Sequence, residues 1–130
     1  MIVVDASAVA EVLLRTPAAK AIERRLFAPG ETLHAPHLLD IEVAHVVRRY
    51  LQGGDIDAER GRAALTDLAD LPVRRYPHTI LLPRICRLRD NLTAYDAAYI
   101  ALAEALDCPL LTCDRRLAAA PGHGARVELV

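Results

Sequence analysis

The N-terminal stretch MIVVDASAVAEVLL, residues 1–14, decides the fold of this chain. Ile2 to Val4 form a short β-branched run, which favours a strand, and the run ends at Asp5. From Ser7 onward the apolar residues have helical spacing, so a helix is predicted directly behind the strand. The stretch therefore predicts a strand-to-helix unit with an acidic residue at its junction.

The rest of the chain continues this alternation. Further strands are predicted at residues 32–34, 73–76, 109–112 and 126–130, and further helices at 17–26, 37–51, 57–71, 78–88 and 93–106. Strands that alternate with helices indicate a parallel sheet with both faces covered. The predicted fold class is therefore α/β, a three-layer α/β/α sandwich around a mainly parallel sheet of four to five strands.

Composition is ordinary for one globular domain. The chain has 130 residues, of which 53% are hydrophobic and 25% charged, and we expect a single domain over residues 1–130. No apolar run predicts a membrane span or a signal peptide. The three cysteines form no CxxC pair and have no recognised zinc-ligand spacing with the histidines, so a reduced, cytoplasmic setting is expected.

The formal net charge of the chain is −1, which argues against a protein that binds nucleic acid through its overall charge. The arginines nevertheless cluster, at positions 48–49, 74–75, 84, 87 and 89, and 115–116. Guanidinium groups suit phosphate contacts, although solvated helix faces would explain each pair equally well. Arginine clusters carry no base sequence, so the identity of an RNA substrate stays open.

Two predicted strands end in an acidic residue. Ile2 to Val4 lead into Asp5, and the strand at 110–113 leads into Asp114. Ligands of open parallel sheets bind at the carboxyl ends of the strands, where both carboxylates would lie. Aspartate is also a favoured helix N-cap, and each of these residues precedes a predicted helix, so capping is the alternative interpretation of either one.

Asp96 lies in the first turn of a helix that is apolar nearly all round and is therefore predicted to be buried. A capping interaction with Thr93 would explain Asp96 without chemistry. A carboxylate on a buried helix still needs a partner or a metal, because burial of an unpaired charge is costly. We therefore favour a functional role for Asp96.

Glu42 lies at the margin of the apolar stripe of its helix, on the same side as Arg49. It can lean over the edge of the core, while Asp40 is expected to face solvent. An ordinary pairing of Glu42 with His45 or Arg49 is the alternative. Taken together, the four acids form an oxygen-only set, which selects hard cations such as Mg²⁺ or Mn²⁺ that can activate water against a phosphodiester.

Four blocks of the sequence resemble the PIN-domain signature, and especially its VapC toxin branch: residues 3–8 (VVDASA), 36–42 (PHLLDIE), 93–104 (TAYDAAYIALAE) and 110–117 (LLTCDRRL). The resemblance spans nearly the whole chain in the expected order. It implies a PIN-like parallel-sheet sandwich whose acidic pocket binds Mg²⁺ or Mn²⁺ and hydrolyses RNA. It also implies a homodimer and a cognate antitoxin protein.

The family's functional positions can be carried onto this chain by the same match. Asp5, Glu42, Asp96 and Asp114 match the acidic set, which holds the metal and carries catalysis. The hydroxyl residues Ser7 and Thr112 correspond to positions beside that pocket, where they would support the acids. No acidic position of the motif is missing.

Three other classes of protein share features with this sequence. A haloacid-dehalogenase-like phosphatase needs a second aspartate two residues after the first, where this chain has Ser7. A response-regulator receiver domain needs adjacent acids and a late lysine, whereas Lys20 is the only lysine here. The serious rival is a PIN-fold module that binds RNA or protein with weak or no catalysis.

Overall fold

The computed structural model describes all residues, 1–130. Its strands are β1 (Ile2–Val4), β2 (Leu33–Pro36), β3 (Val73–Tyr76), β4 (Leu110–Thr112) and β5 (Val127–Leu129). Its helices are α1 (Ala6–Leu13), α2 (Ala19–Leu26), α3 (Leu38–Gln52), α4 (Ala58–Asp70), α5 (Leu82–Arg87), α6 (Ala94–Leu106) and α7 (Arg115–Ala119). None of these helices is both long and apolar enough to cross a lipid bilayer.

The five strands form one parallel sheet in the order β3-β2-β1-β4-β5. From β1 the chain winds outward through β2 to β3, and then returns to add β4 and β5 on the other side of β1. The strand order reverses between β1 and β4, which is where open α/β sheets form a crevice at their carboxyl edge. The predicted fold class, a parallel α/β sandwich, is confirmed.

Helices cover both faces of the sheet. Helices α1 to α4 pack against one another, while α6 lies on β1 and β2 and carries α5. The chain crosses first in one direction and then in the other, and the general preference for right-handed crossovers then places the two sets of helices on opposite faces. The β1 side chains are wholly buried, and Tyr99 of α6 is the largest fully buried side chain of the core.

Some predicted elements differ from the observed ones. The helix predicted at 78–88 is a short 3₁₀ turn, Thr79–Leu81, followed by α5, and Pro83 lies in the first turn of α5, where proline is tolerated. The expectation that Asp40 faces solvent is wrong in part. Its half-exposed carboxylate accepts from Arg75 of β3, with Nε 2.8 Å from Oδ2.

Candidate active site

Asp5 occupies the junction of β1 and α1 at the carboxyl edge of the sheet. Its backbone N–H donates to the carbonyl of Leu111 on the neighbouring strand (3.2 Å), and only 5% of the residue is exposed. Its Oδ1 accepts from the N–H groups of Ser7 (2.8 Å) and Ala8 (3.2 Å), so Asp5 is the N-cap of α1. Asp5 therefore caps its helix and lies at the predicted site, and the two interpretations do not exclude each other.

Two hydroxyl groups fix the Asp5 carboxylate. Ser7 donates its Oγ proton to Asp5 Oδ1 (2.5 Å) and accepts from the N–H of Cys113 (2.9 Å). Thr112, which is fully buried, donates to Asp5 Oδ2 (2.6 Å) and accepts from the N–H of Asp114 (2.9 Å). Both hydroxyls thus connect the β1–α1 junction to the loop after β4.

Asp114 is the N-cap of the short helix α7. Its Oδ1 accepts from the N–H of Arg116 (2.8 Å) and of Leu117 (3.4 Å). Its Oδ2 has no protein donor. Because β1 and β4 are paired in register, the residues that follow them, Asp5 and Asp114, come together at the sheet edge.

Asp96 and Glu42 approach the same place from α6 and α3. Thr93 accepts from the backbone N–H of Asp96 (3.1 Å), as the capping pattern predicts, and hydrogen bonding to Thr93 also lowers the pKa of the Asp96 carboxyl group. Glu42 does not pair with His45 or Arg49, so that alternative is wrong. Its Oε2 instead accepts from the Tyr99 hydroxyl at 2.5 Å.

Tyr99 is a site residue that sequence reasoning missed, because its position in an apolar helix indicated only core packing. The only signal was its spacing, three residues after Asp96 and therefore on the same helix face. Burial, and then the charge of Glu42, raise the pKa of the Tyr99 hydroxyl far above its ordinary value. The hydroxyl therefore remains a proton donor to Glu42.

The carboxylates share one electrostatic environment. Burial raises the pKa of Asp5 against the opposing hydrogen bonds from Ser7 and Thr112. Burial also raises the pKa of Glu42, and repulsion from Asp5 and Asp96 adds to it. The pKa of Asp96 is raised by burial and by repulsion from Asp114 and Asp5. Each of the four predicted acids is thus close enough to repel at least one of the others.

Little positive charge neutralises this cluster. Arg116 is the one basic residue that offsets part of the rise in the pKa of Asp96, and the side chain of Arg116 is exposed. Glu42 Oε1 and Asp114 Oδ2 have no protein donor, Asp5 Oδ2 has one, and the Asp96 carboxylate has only Thr93 as a hydrogen-bond partner. Free carboxylate oxygens with excess negative charge are the donors that a hard divalent cation takes.

The donor chemistry thus fits Mg²⁺ or Mn²⁺ on the residues that the sequence indicates. No three of the acidic side chains converge closely enough to chelate an ion as they stand. Simultaneous contact of several carboxylates with one ion would require rotation of their side chains.

A cleft of about 650 Å³ opens beside the acids. It is lined by Ser7, Glu42 and Asp114 at the acidic end, and by His45, Arg49 and Tyr95 elsewhere. Asp5 lies buried beneath Ser7, and Asp96 adjoins Tyr95 in the chain. A substrate in this cleft would meet the carboxylates at one end.

Comparison with known proteins identifies the family. The family model described as PIN domain matches residues 2–122. Ribonuclease VapC12 of Mycobacterium tuberculosis is 46% identical over the whole chain and 99% of its own length. The fold is also that of M. tuberculosis VapC20 (TM-score 0.70, 16% identity, 92% of this chain and 94% of that one). A chain of VapBC2 from Rickettsia felis is similar in the same way (TM-score 0.71, 13% identity, 100% and 99%). This chain belongs to the PIN-domain family and, within it, to the VapC ribonucleases.

Proposed function

We propose that the protein is a Mg²⁺-dependent endoribonuclease that hydrolyses RNA phosphodiester bonds and acts as the toxin of a toxin–antitoxin pair. The observation that carries the proposal is the cluster of Asp5, Glu42, Asp96 and Asp114, whose members repel one another and keep free oxygens at one sheet edge. Such a cluster gains most from a divalent cation and from the phosphate that the cation attracts. Full-length similarity to Ribonuclease VapC12 supports RNA as the substrate.

The four acids would hold Mg²⁺, with Mn²⁺ able to substitute for it. When bound, the cation supplies charge that offsets the phosphodiester and lowers the pKa of water. Ser7 and Thr112 contribute by fixing both oxygens of Asp5 through their hydroxyl protons. Tyr99 contributes by holding Glu42 at the edge of the core. These residues would orient the carboxylates before the substrate arrives, which is how preorganised sites lower a barrier.

Hydrolysis by water needs no side-chain nucleophile, and the nearby candidates are poor ones. The Ser7 hydroxyl donates a hydrogen bond to the Asp5 carboxylate, and no histidine is hydrogen-bonded to the hydroxyl as a base. Burial raises the pKa of the Cys113 thiol, and the charges of Asp5 and Glu11 raise it further. The reactive thiolate of Cys113 is therefore disfavoured.

The partners belong to the proposal as well. A cognate antitoxin is supported by the shared fold with VapBC2, described as bound to promoter DNA. A homodimer is part of the proposal, and it could bury exposed apolar side chains such as Ile80 (69% exposed) and Leu82 (53%). A cytoplasmic location is supported by three unpaired cysteines.

The test is RNA cleavage with matched carboxylate variants. The purified protein is incubated with structured and single-stranded RNA in Mg²⁺, Mn²⁺ or EDTA. We expect cleavage with either metal, none in EDTA, and none for Asp96→Asn, while Asp90→Asn, an exposed acid outside the cluster, keeps full activity. Full cleavage by a folded Asp96→Asn protein would contradict the proposal. Absence of cleavage by the wild type with either metal would favour a binding module instead.

A further inference from the structure

Tyr95 is an exposed aromatic residue at the start of a helix that is otherwise mainly buried. Its exposed fraction is 67%, whereas every residue from Ala97 to Ala103 is buried. It directly precedes Asp96, one of the four clustered acids. The ring is therefore free to contact a ligand beside these acids.

Tyr95 separates two hollows of the surface. One is the cleft of about 650 Å³ that contains the acidic end formed by Glu42 and Asp114. The other is a smaller apolar hollow of about 200 Å³, lined by Leu38, His78, Leu82 and Ile85 as well as Tyr95. A flat, apolar group that leaves the acidic cleft would therefore meet the Tyr95 ring.

Arg49 lies at the other end of the cleft. It is seven residues, and about 11 Å along the axis of α3, beyond Glu42 on the same side of the helix. Arg49 is exposed and takes part in none of the five salt bridges of the protein. The neighbouring Arg48 is equally exposed but does not line the cleft.

We propose that this cleft binds single-stranded RNA, with Tyr95 stacking on a base next to the scissile phosphate and Arg49 contacting a neighbouring backbone phosphate. The inference rests on the proposed ribonuclease function. The order of charges in the cleft favours RNA over other occupants. Carboxylates at one end would repel an acidic peptide and the same acids of a second copy, and they admit RNA only because a divalent cation held by them would face a phosphate. A nucleic acid offers phosphates to the arginine and to the metal site, and a base to the ring between them.

The test measures binding by fluorescence anisotropy with Ca²⁺ in place of Mg²⁺, so that a hard cation offsets the acids, with labelled oligo-uridylate and with an abasic ribose-phosphate oligomer of equal length. We expect Tyr95→Ala to weaken binding of oligo-uridylate about 10-fold, Tyr95→Phe to bind as the wild type does, and the abasic oligomer to bind both equally. Arg49→Ala should weaken binding of both oligomers. It should also reduce the slope of log affinity against log salt concentration by about 1, the value for one phosphate contact. Phe27→Ala, an exposed aromatic outside the cleft, and Arg48→Ala are the matched controls.

The outcomes separate this inference from the proposed function. If the wild type cleaves RNA but Tyr95→Ala binds oligo-uridylate as tightly as the wild type, the inference is wrong and the ribonuclease assignment stands. A second contrary outcome is that Tyr95→Ala changes the oligomer mass measured by sedimentation while RNA binding is unaffected. The surface is then a contact between copies of the chain, and this result also overturns the inference. Failure of the ribonuclease proposal itself would appear as the absence of any metal-dependent cleavage by the wild type.

Discussion

Replacement of Thr112 by valine tests whether the hydroxyl at the end of β4 fixes the site. Valine keeps the shape and the β-branching, so the change removes two hydrogen bonds without leaving a cavity. Asp5 Oδ2, in a residue only 5% exposed, loses its donor, and the N–H of the partly exposed Asp114 loses its acceptor. A buried group left without a partner costs about 1–3 kcal/mol, with charged groups at the upper end.

We therefore expect Thr112→Val to lower the free energy of unfolding by about 3 kcal/mol, mostly from Asp5. Thr112→Ser is the matched control. It keeps the hydroxyl and deletes a buried methyl group, which should cost about 1 kcal/mol. Thr112→Ser should also retain RNA cleavage, whereas Thr112→Val should lose it because Asp5 is no longer oriented.

The measurement is urea denaturation in EDTA at neutral pH, followed by far-ultraviolet circular dichroism, since the chain has no tryptophan to report by fluorescence. Cleavage is assayed in parallel with Mg²⁺. The reasoning is refuted if the valine variant is as stable as the serine variant, or if it cleaves RNA as fast as the wild type. Either result would mean that the hydrogen bonds of Thr112 neither stabilise Asp5 nor orient it.

Three further predictions concern the charged groups. Tyr99→Phe removes the hydrogen-bond donor to the half-buried Glu42. We therefore expect slower RNA cleavage and a free energy of unfolding lower by about 1 kcal/mol. Equal cleavage rates for the variant and the wild type would contradict this. Burial and repulsion raise the pKa of Asp96. Its contribution to the free energy of unfolding is therefore fully present below its ordinary pKa and is lost as the pH rises through the raised pKa. At neutral pH in EDTA, Asp96→Asn should therefore melt at a higher temperature than the wild type and gain less from Mg²⁺; a lower melting temperature would refute this. The N-terminal amine and then Arg25 lower the pKa of Glu31 from 4.5 to about 2. The contribution of Glu31 to the free energy of unfolding is therefore present above pH 4.5 and is lost as the pH falls toward 2. Acid titration of Glu31→Gln should show a flatter loss of stability over that interval, and a curve parallel to the wild type would exclude the ion pairs as its cause.

The parts of the site that the sequence predicts are those set by the sheet. Asp5 and Asp114 are each one or two residues beyond a short apolar strand, and parallel pairing alone brings such positions to one edge. Glu42 and Asp96 were predictable as acids at the margin or the start of helices, although their convergence depends on how the helices cross. Their shared repulsion with Asp5 required the folded structure.

The parts that escaped prediction depend on contacts between distant elements. Tyr99 and Glu42 are 57 residues apart, and no periodicity within α6 distinguishes a buried tyrosine of the core from one that donates to an acid. The helix that contains Tyr95 was expected to be buried as a whole, and Tyr95 departs from this expectation. Burial in α6 begins only at Ala97, so the first turn extends past the elements that cover the rest of the helix.

Capping and catalysis are compatible at this edge for a physical reason. A helix N-terminus offers free N–H groups, and Asp5 and Asp114 each satisfy them with Oδ1. Those bonds hold each carboxylate in one orientation, while Asp114 Oδ2 has no donor and Asp5 Oδ2 accepts only from Thr112. The positive end of the helix dipole also lowers the cost of holding a carboxylate there. A sequence pattern that predicts a cap is therefore no argument against a metal ligand, because the cap positions the second oxygen.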